Sequence, residues 1–167
     1  MSKVRNPNLI PTNTLAVGFN ASSINVGKAI TVEFGVSLTE LNFTFAQATT
    51  ERPVTWDFVN EANKTAEYAI LTVDSSTWAA GTLQAAFIIP GDPVIGQPFG
   101  VNLDLVDSIS KNDKVDYIGG ATIYQIFFTY EAIGFGPKTI EWNFALESDR
   151  DTVLGELTNN VAALTYL

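Results

Sequence analysis

The sequence predicts an all-β fold: an antiparallel β-sandwich, immunoglobulin-like or jelly-roll, of about nine or ten short strands with an extended N-terminal arm. Three observations carry that expectation. Short runs of alternating apolar and polar residues recur along the chain, and alternation of period two marks a half-buried strand. Clusters of Gly, Pro, Asn and Asp separate those runs as turns do. The third observation is the stretch from Ala121 to Glu147, ATIYQIFFTYEAIGFGPKTIEWNFALE, in which two apolar runs flank Gly134-Phe135-Gly136-Pro137 as the arms of a hairpin.

In the second arm Ile140, Trp142, Phe144 and Leu146 point one way and Glu141, Asn143 and Ala145 the other. In the first, Tyr124, Ile126, Phe128 and Tyr130 share one face, while Ile123 and Phe127 put apolar groups on the opposite face. A strand apolar on both faces needs cover on both. The hairpin is therefore expected in the middle of the core.

Residues 1–13 are expected to form an arm, and residues 14–167 a single sandwich domain. The arm holds Lys3, Arg5, Pro7 and Pro11, and no acidic residue precedes Glu33. Its prolines exclude a helix and disfavour a central strand. A frayed terminus is the ordinary interpretation. The functional one is a basic arm lying across the acidic body of a neighbouring subunit, so that deleting residues 2–12 weakens assembly without unfolding the domain.

Strands are expected at Thr14–Asn20, at Lys28–Val36 with Ile30, Val32, Phe34 and Val36 on one face, and at LTELNFTFA with Leu41, Phe43 and Phe45 inward. VTWDFV follows with Val54, Trp56 and Phe58 inward, then NEANK as a polar turn and AEYAILTV as a strand apolar on both faces. Asp74 to Gly81 reads as one helical turn, with an Asx/Ser cap and a terminating glycine. TLQAAFIIP is the returning strand, closed by Pro90-Gly91-Asp92-Pro93. Residues 94–106 hold a strand with Val101, Leu103 and Leu105 on one face; Gly96, Pro98 and Gly100 suggest an edge or a bulge there. The polar interval 107–120 reads as a loop, ESDRD as a charged turn, and the tail from Asp151 as two short strands, in preference to one strand and a helical turn around Val161 to Leu164.

At 167 residues the chain suits one domain with a real core. It is 46% hydrophobic and 16% charged, against about 25% charged in a typical soluble domain. Outward positions are mostly Thr, Asn, Ser and Gln, which suits burial against partners, although all-β chains favour Thr and Asn in any case. The net charge of −9 repels phosphate backbones and disfavours nucleic-acid binding through a basic face. The absence of Cys removes disulfides, thiolate nucleophiles and sulfur metal sites. No apolar h-region follows MSKVRNPNLIP, and no apolar run approaches the ~20 residues of a bilayer span. No signal peptide and no membrane partner are expected.

Catalytic signatures are absent. Without histidine the chain lacks the commonest general base and metal ligand. No Ser-x-x-Lys motif with supporting partners appears, and Gly134-x-Gly136 lies between strands instead of before a helix. Glu141 and Glu147 are the carboxylates a glycosidase would use, but alternation turns Glu141 outward as an ordinary strand residue. Asp104, Asp107, Asp113 and Asp116 could offer oxygens to calcium, yet their spacing is not that of an EF-hand and Lys111 and Lys114 sit among them. Trp56 and Trp142 fall in step with inward residues, which leaves Trp78, in a turn, as either the one stacking platform for a carbohydrate or simply a cap on the sandwich. Sequons at Asn20, Asn42 and Asn63 matter only on a secretory route.

The run KTAEYAILTVDSSTWAAGTLQAAFIIPGD, Lys64 to Asp92, resembles the immunoglobulin-like modules of tailed-phage baseplates and other virion accessory proteins. There too a strand leads to a short Trp-containing turn, a glycine and a returning strand. The resemblance covers about thirty residues and is one of architecture, so it implies no catalytic, cofactor or metal residues. The expectation is a non-enzymatic structural protein without cofactor, a homo-oligomer or a docked virion component (capsid decoration, tail or baseplate) assembled in the host cytoplasm. Its partners would be its own copies or other virion proteins. The alternative is a carbohydrate- or receptor-binding β-sandwich with Trp78 near its site.

Overall fold

The computed structural model describes residues 8–9, 11–18, 24–25, 28–45, 54–79 and 87–165. Strands dominate it, and all but one of the strand pairings are antiparallel. The short strands β1 (Asn8–Leu9) and β2 (Ile24–Asn25) pair with each other. A six-stranded sheet contains β3 (Ala29–Phe34), β4 (Glu40–Phe45), β5 (Val54–Asp57), β6 (Thr72–Asp74), β7 (Phe87–Ile89) and β8 (Gly100–Val101), in the order β5-β4-β3-β8-β7-β6. A three-stranded sheet contains β9 (Ser108–Val115), β10 (Thr122–Ala132) and β11 (Gly136–Phe144), in the order β11-β10-β9. Helices α1 (Glu61–Leu71), α2 (Ser75–Ala79) and α3 (Glu147–Thr165) complete the described elements.

The expected hairpin forms with Ile126 opposite Trp142 and Phe128 opposite Ile140. These side chains join Val73, Ile88 and Val101 of the larger sheet and Trp78, Val153 and Leu157 of the helices in one buried cluster. A second cluster lies on the other face of the larger sheet, where Val32, Leu41, Phe43, Trp56 and Phe58 pack with Tyr68 and Leu71 of α1. A bulge between Ala29 and Thr31 turns Ile30 away from Val32, towards Tyr130 and Ala132. The expected common face of Ile30, Val32, Phe34 and Val36 is thereby broken, and Val36 ends in an exposed turn.

Other segments also differ from expectation. The predicted turn NEANK and the strand AEYAILTV are mostly α1. Asn60 caps it, its side chain accepting from the Asn63 N–H at 2.8 Å, and the buried positions Lys64, Glu67, Tyr68 and Leu71 follow helical spacing. The tail predicted as strands is α3, with Arg150, Val153 and Leu157 buried on one stripe. The loop predicted over 107–120 is mostly strand β9. The strand predicted over 94–106 shrinks to β8 followed by a 3₁₀ turn, Leu103–Leu105. β8 is no edge: it lies between β3 and β7, and a Cβ on Gly100 would come within 2.9 Å of Val32 and 2.8 Å of Phe87. Of the strand expected at Thr14–Asn20, residues 14–18 contribute a single bridge, Leu15 to Phe58, and residues 19–20 lie outside the described residues.

Within residues 64–92 the leading strand is confined to Thr72–Asp74 and is preceded by helix, and β6 pairs with β7 in parallel. The Trp-containing turn is α2, as its cap predicts. Asp74 accepts from the Thr77 N–H at 2.9 Å and from the Ser76 hydroxyl. Those hydrogen bonds hold its carboxyl below the ordinary range.

Candidate interaction surface

Lys3, Arg5 and Pro7 lie outside the described residues. Pro11 is half-buried, and the segment after it is tied to its own chain. The buried Glu67 carboxylate of α1 accepts from the Thr12 N–H at 3.1 Å, the Asn13 N–H at 2.9 Å and the Asn13 Nδ2 at 2.7 Å. Beyond it, the Ala16 N–H donates to the Asp57 carbonyl at 2.8 Å, covering the outer edge of β5.

Trp78 is 1% exposed and packs in the cluster between the sheets. The stacking platform expected of it is therefore corrected to a core residue: its ring faces are already occupied by protein. Glu141 points outward as alternation requires, and Glu147 is spent on Arg150. Of the four aspartates, Asp113 also pairs with Arg150, and Asp116 accepts from the Ile118 N–H of its own turn. Among the described residues no three His, Cys, Asp or Glu side chains are grouped to hold a metal ion, and no helix is long and apolar enough to cross a membrane. A cleft of about 240 Å³ beside the start of β9 is lined by Leu103, Val106, Ile109 and Thr158 with one acid, Asp107.

Arg150 fixes α3 to the smaller sheet. Its guanidinium, 1% exposed, donates to Asp151 at 2.6 Å, to Asp113 at 2.7 Å, and to Glu147 and the Asn112 carbonyl at 3.3 Å, and it lies over the Tyr124 ring. At the other pole of the molecule burial pushes the Tyr68 hydroxyl up to about 12, with the Glu33 charge adding to the effect. Desolvation likewise raises Glu33. None of these groups is arranged as a nucleophile with its base; each sits where it joins one element to another.

The surface is more distinctive. Cover on both faces of the central hairpin was expected; the face carrying Ile126 and Phe128 is covered, whereas on the opposite face, among the described residues, Gln125 alone is buried. On the opposite face Ile123 and Phe127 are half-buried among exposed Ser110, Lys114, Thr139 and Glu141. An amide ladder crosses it: Asn112 Nδ2 donates to Gln125 Oε1 at 2.9 Å, and Gln125 Nε2 to Asn143 Oδ1 at 2.8 Å.

The turns carry large apolar side chains where turn chemistry favours Gly, Asn, Asp and Ser. Tyr117 and Ile118, between β9 and β10, are 95% and 99% exposed. Their turn is held by Asp116, whose N–H donates to the Ala121 carbonyl at 2.8 Å and whose carbonyl accepts from Gly120 at 2.7 Å. Ile133 and Phe135 project from the β10–β11 turn, where Gly134 and Gly136 adopt positive φ. Val36 and Leu38 project from the β3–β4 turn. The bond from the Phe58 N–H to the Thr39 carbonyl brings exposed Val59 alongside them.

The signal for these tips was present in the sequence, as apolar residues inside Gly- and Asp-marked turns. Period-two counting does not single them out: Tyr117, Ile118, Ile133 and Phe135 fall outside the strands, and Val36, Leu38 and Val59 read as the ends of strands. Comparison with family models, with curated proteins and with solved structures found no match.

Proposed function

We propose that this chain is a non-enzymatic structural protein that works by self-association or by docking on a larger assembly. The observation that carries this reading is the set of apolar turn residues, above all Tyr117 and Ile118 on a hydrogen-bonded turn. A preorganised apolar tip loses little entropy on docking and gains from leaving water. On this reading the two sheets are the layers of a sandwich, supported by the cluster that joins Val73, Ile88 and Val101 to Ile126, Phe128 and Trp142. A phage virion is proposed as the larger assembly on the resemblance of residues 64–92 alone, with the protein as a decoration, tail or baseplate component.

Light scattering coupled to size exclusion tests the reading. The unmodified protein should run as an oligomer, and Tyr117→Ser with Ile118→Ser should lower its mass or its affinity for the particle while leaving the circular-dichroism spectrum unchanged. A monomer at all concentrations that binds no particle would refute it.

A further inference from the structure

Among the described residues strand β9 has an open outer edge, and we propose that it pairs antiparallel with β9 of a second copy of this chain about a two-fold axis at Asn112. The inference rests on the assembly reading above and gives it one partner and one register.

The edge is singled out by what closes the others. Residues 14–16 cover the end of β5, β6 is three residues long, and the outer edge of β11 carries Pro137 and is met by the Ile95 N–H at the Asn143 carbonyl (2.7 Å). β9 spans eight residues, and among the described residues no strand pairs with its outer side. A long uncovered edge invites another strand.

Which backbone groups point outward follows from the register. Asp116 donates to Ala121, its partner in line with the β9–β10 ladder, so Asp116 and every second residue before it direct their N–H and C=O towards β10. Ser110, Asn112 and Lys114 are thereby engaged, and Ile109, Lys111, Asp113 and Val115 direct theirs to the open edge. A second β9 must meet those same four residues. Centred on Asn112, Ile109 faces Val115 of the second copy and Lys111 faces its Asp113, and the two-fold axis repeats both pairs. Every outward group is then matched.

Charge selects this register from its neighbours. Shifting the centre to Lys111 sets lysine against lysine; shifting it to Asp113 sets aspartate against aspartate. Like charges directly opposite are destabilising and opposite charges stabilising. Centred on Asn112, both cross-copy pairs are Lys with Asp, on the face where Asp113 already meets Arg150 and Lys111 meets Asp151 at 3.8 Å. On the other face the amide ladder Asn143–Gln125–Asn112 continues into the Asn112 of the second copy. The charges of β9 thus act as a filter on register: they oppose the two adjacent pairings and favour the one that supplies each lysine with an aspartate.

The chain contains no cysteine, so single cysteines report cleanly. Asn112 would face its own copy at a pair without backbone hydrogen bonds, where Cα atoms lie about 4.5 Å apart, at the short end of the roughly 4.4–6.8 Å that a disulfide spans. Under mild oxidation Asn112→Cys should become a covalent dimer. Ser110→Cys and Lys114→Cys alone should remain monomers on a non-reducing gel, and the Ser110→Cys/Lys114→Cys double variant should cross-link. Lys111→Pro removes an outward N–H and leaves the β9–β10 bonds in place; it should lower the solution mass with an unchanged circular-dichroism spectrum. If the protein assembles but Asn112→Cys cross-links no better than Ser110→Cys, or Lys111→Pro keeps the parent mass, the β9 pairing falls and assembly stands. A parent protein that is monomeric throughout overturns the pairing, and overturns the assembly reading as well only if it also binds no particle.

Discussion

Replacing Arg150 by Ala tests how the smaller sheet is held to α3. The guanidinium is 1% exposed, yet its three carboxylate partners remain 46–57% exposed. That asymmetry sets the magnitude. Losing one member of a buried pair costs about 3–5 kcal/mol when the other charge is stranded, but here the carboxylates regain water, and exposed pairs are worth about 0–1 kcal/mol. The Arg stem over Tyr124 adds packing that Ala forfeits. Together these give a loss of about 2–3 kcal/mol for Arg150→Ala, and about 1–2 kcal/mol for Arg150→Met, which keeps most of the stem. In a chain of this size the Ala variant should melt about 4–12 °C lower.

Urea unfolding followed by fluorescence measures the loss, and a cycle with Asp113→Ala measures the coupling, expected at about 1 kcal/mol because the two share a hydrogen bond. Amide exchange should quicken in β9 more than in β11, since Arg150 touches Asn112 and Asp113 and not the far strand. An Arg150→Ala protein within about 0.5 kcal/mol of the parent, the range of an ordinary surface change, would show that the cluster of acceptors merely accompanies the fold.

Glu67→Ala should free the segment around Thr12 and Asn13, since the carboxylate accepts from both backbone N–H groups; limited proteolysis should cut before Thr14 faster, at a stability cost of about 1–3 kcal/mol. Unchanged cleavage would mean that the segment is held by other contacts. Tyr68 gives a pH dependence. Its folded pKa is raised from 10.0 to about 12, so between those values the unfolded chain has released the proton and the native one retains it. Stability from this group is intact below pH 10 and falls as pH rises towards 12, by at most about 2–3 kcal/mol. Tyr68→Phe should flatten that decline in urea midpoints, and a tyrosine titration at high pH with no late component would contradict it.

What was legible in the sequence was whatever buried apolar residues at regular spacing. The arms of β10 and β11 and the strands β4 and β5 place Ile126, Phe128, Trp142, Leu41, Phe43 and Trp56 inward as alternation requires. The illegible elements share a different property: their inward positions are charged. α1 buries Lys64 and Glu67 beside Tyr68 and Leu71, and α3 buries Arg150 beside Val153 and Leu157. Counting apolar residues therefore missed half of one helical stripe and the first turn of the other. β9 was hidden for another reason: all its residues but Ile109 are exposed, so no apolar alternation marks it. A charge inside a fold is tolerated when it is paired and hydrogen-bonded, and the pairing partners are distant in sequence, where no local pattern reveals them. Trp78 was misplaced for a related reason: a ring in a turn looks exposed when the residues that bury it, among them Trp142, Val153 and Leu157 of its cluster, are distant in sequence.

The same internal use of charge sharpens the argument from composition. Of the 27 charged residues, nine basic and eighteen acidic, Lys64, Glu67 and Arg150 are removed from the surface, and Glu147, Asp151, Asp113 and Lys111 are committed to ion pairs around Arg150 or beside it. The exterior is thus poorer in uncommitted charge than the sequence implies, while Tyr117, Ile118, Phe135 and Val36 stand at its turns. A monomer that relied on charge to stay dispersed would distribute these groups the other way. The arrangement suits a protein whose turns and strand edge are met by other surfaces; on the proposed pairing, cohesion within the chain and association between chains would draw on the same β9–α3 region.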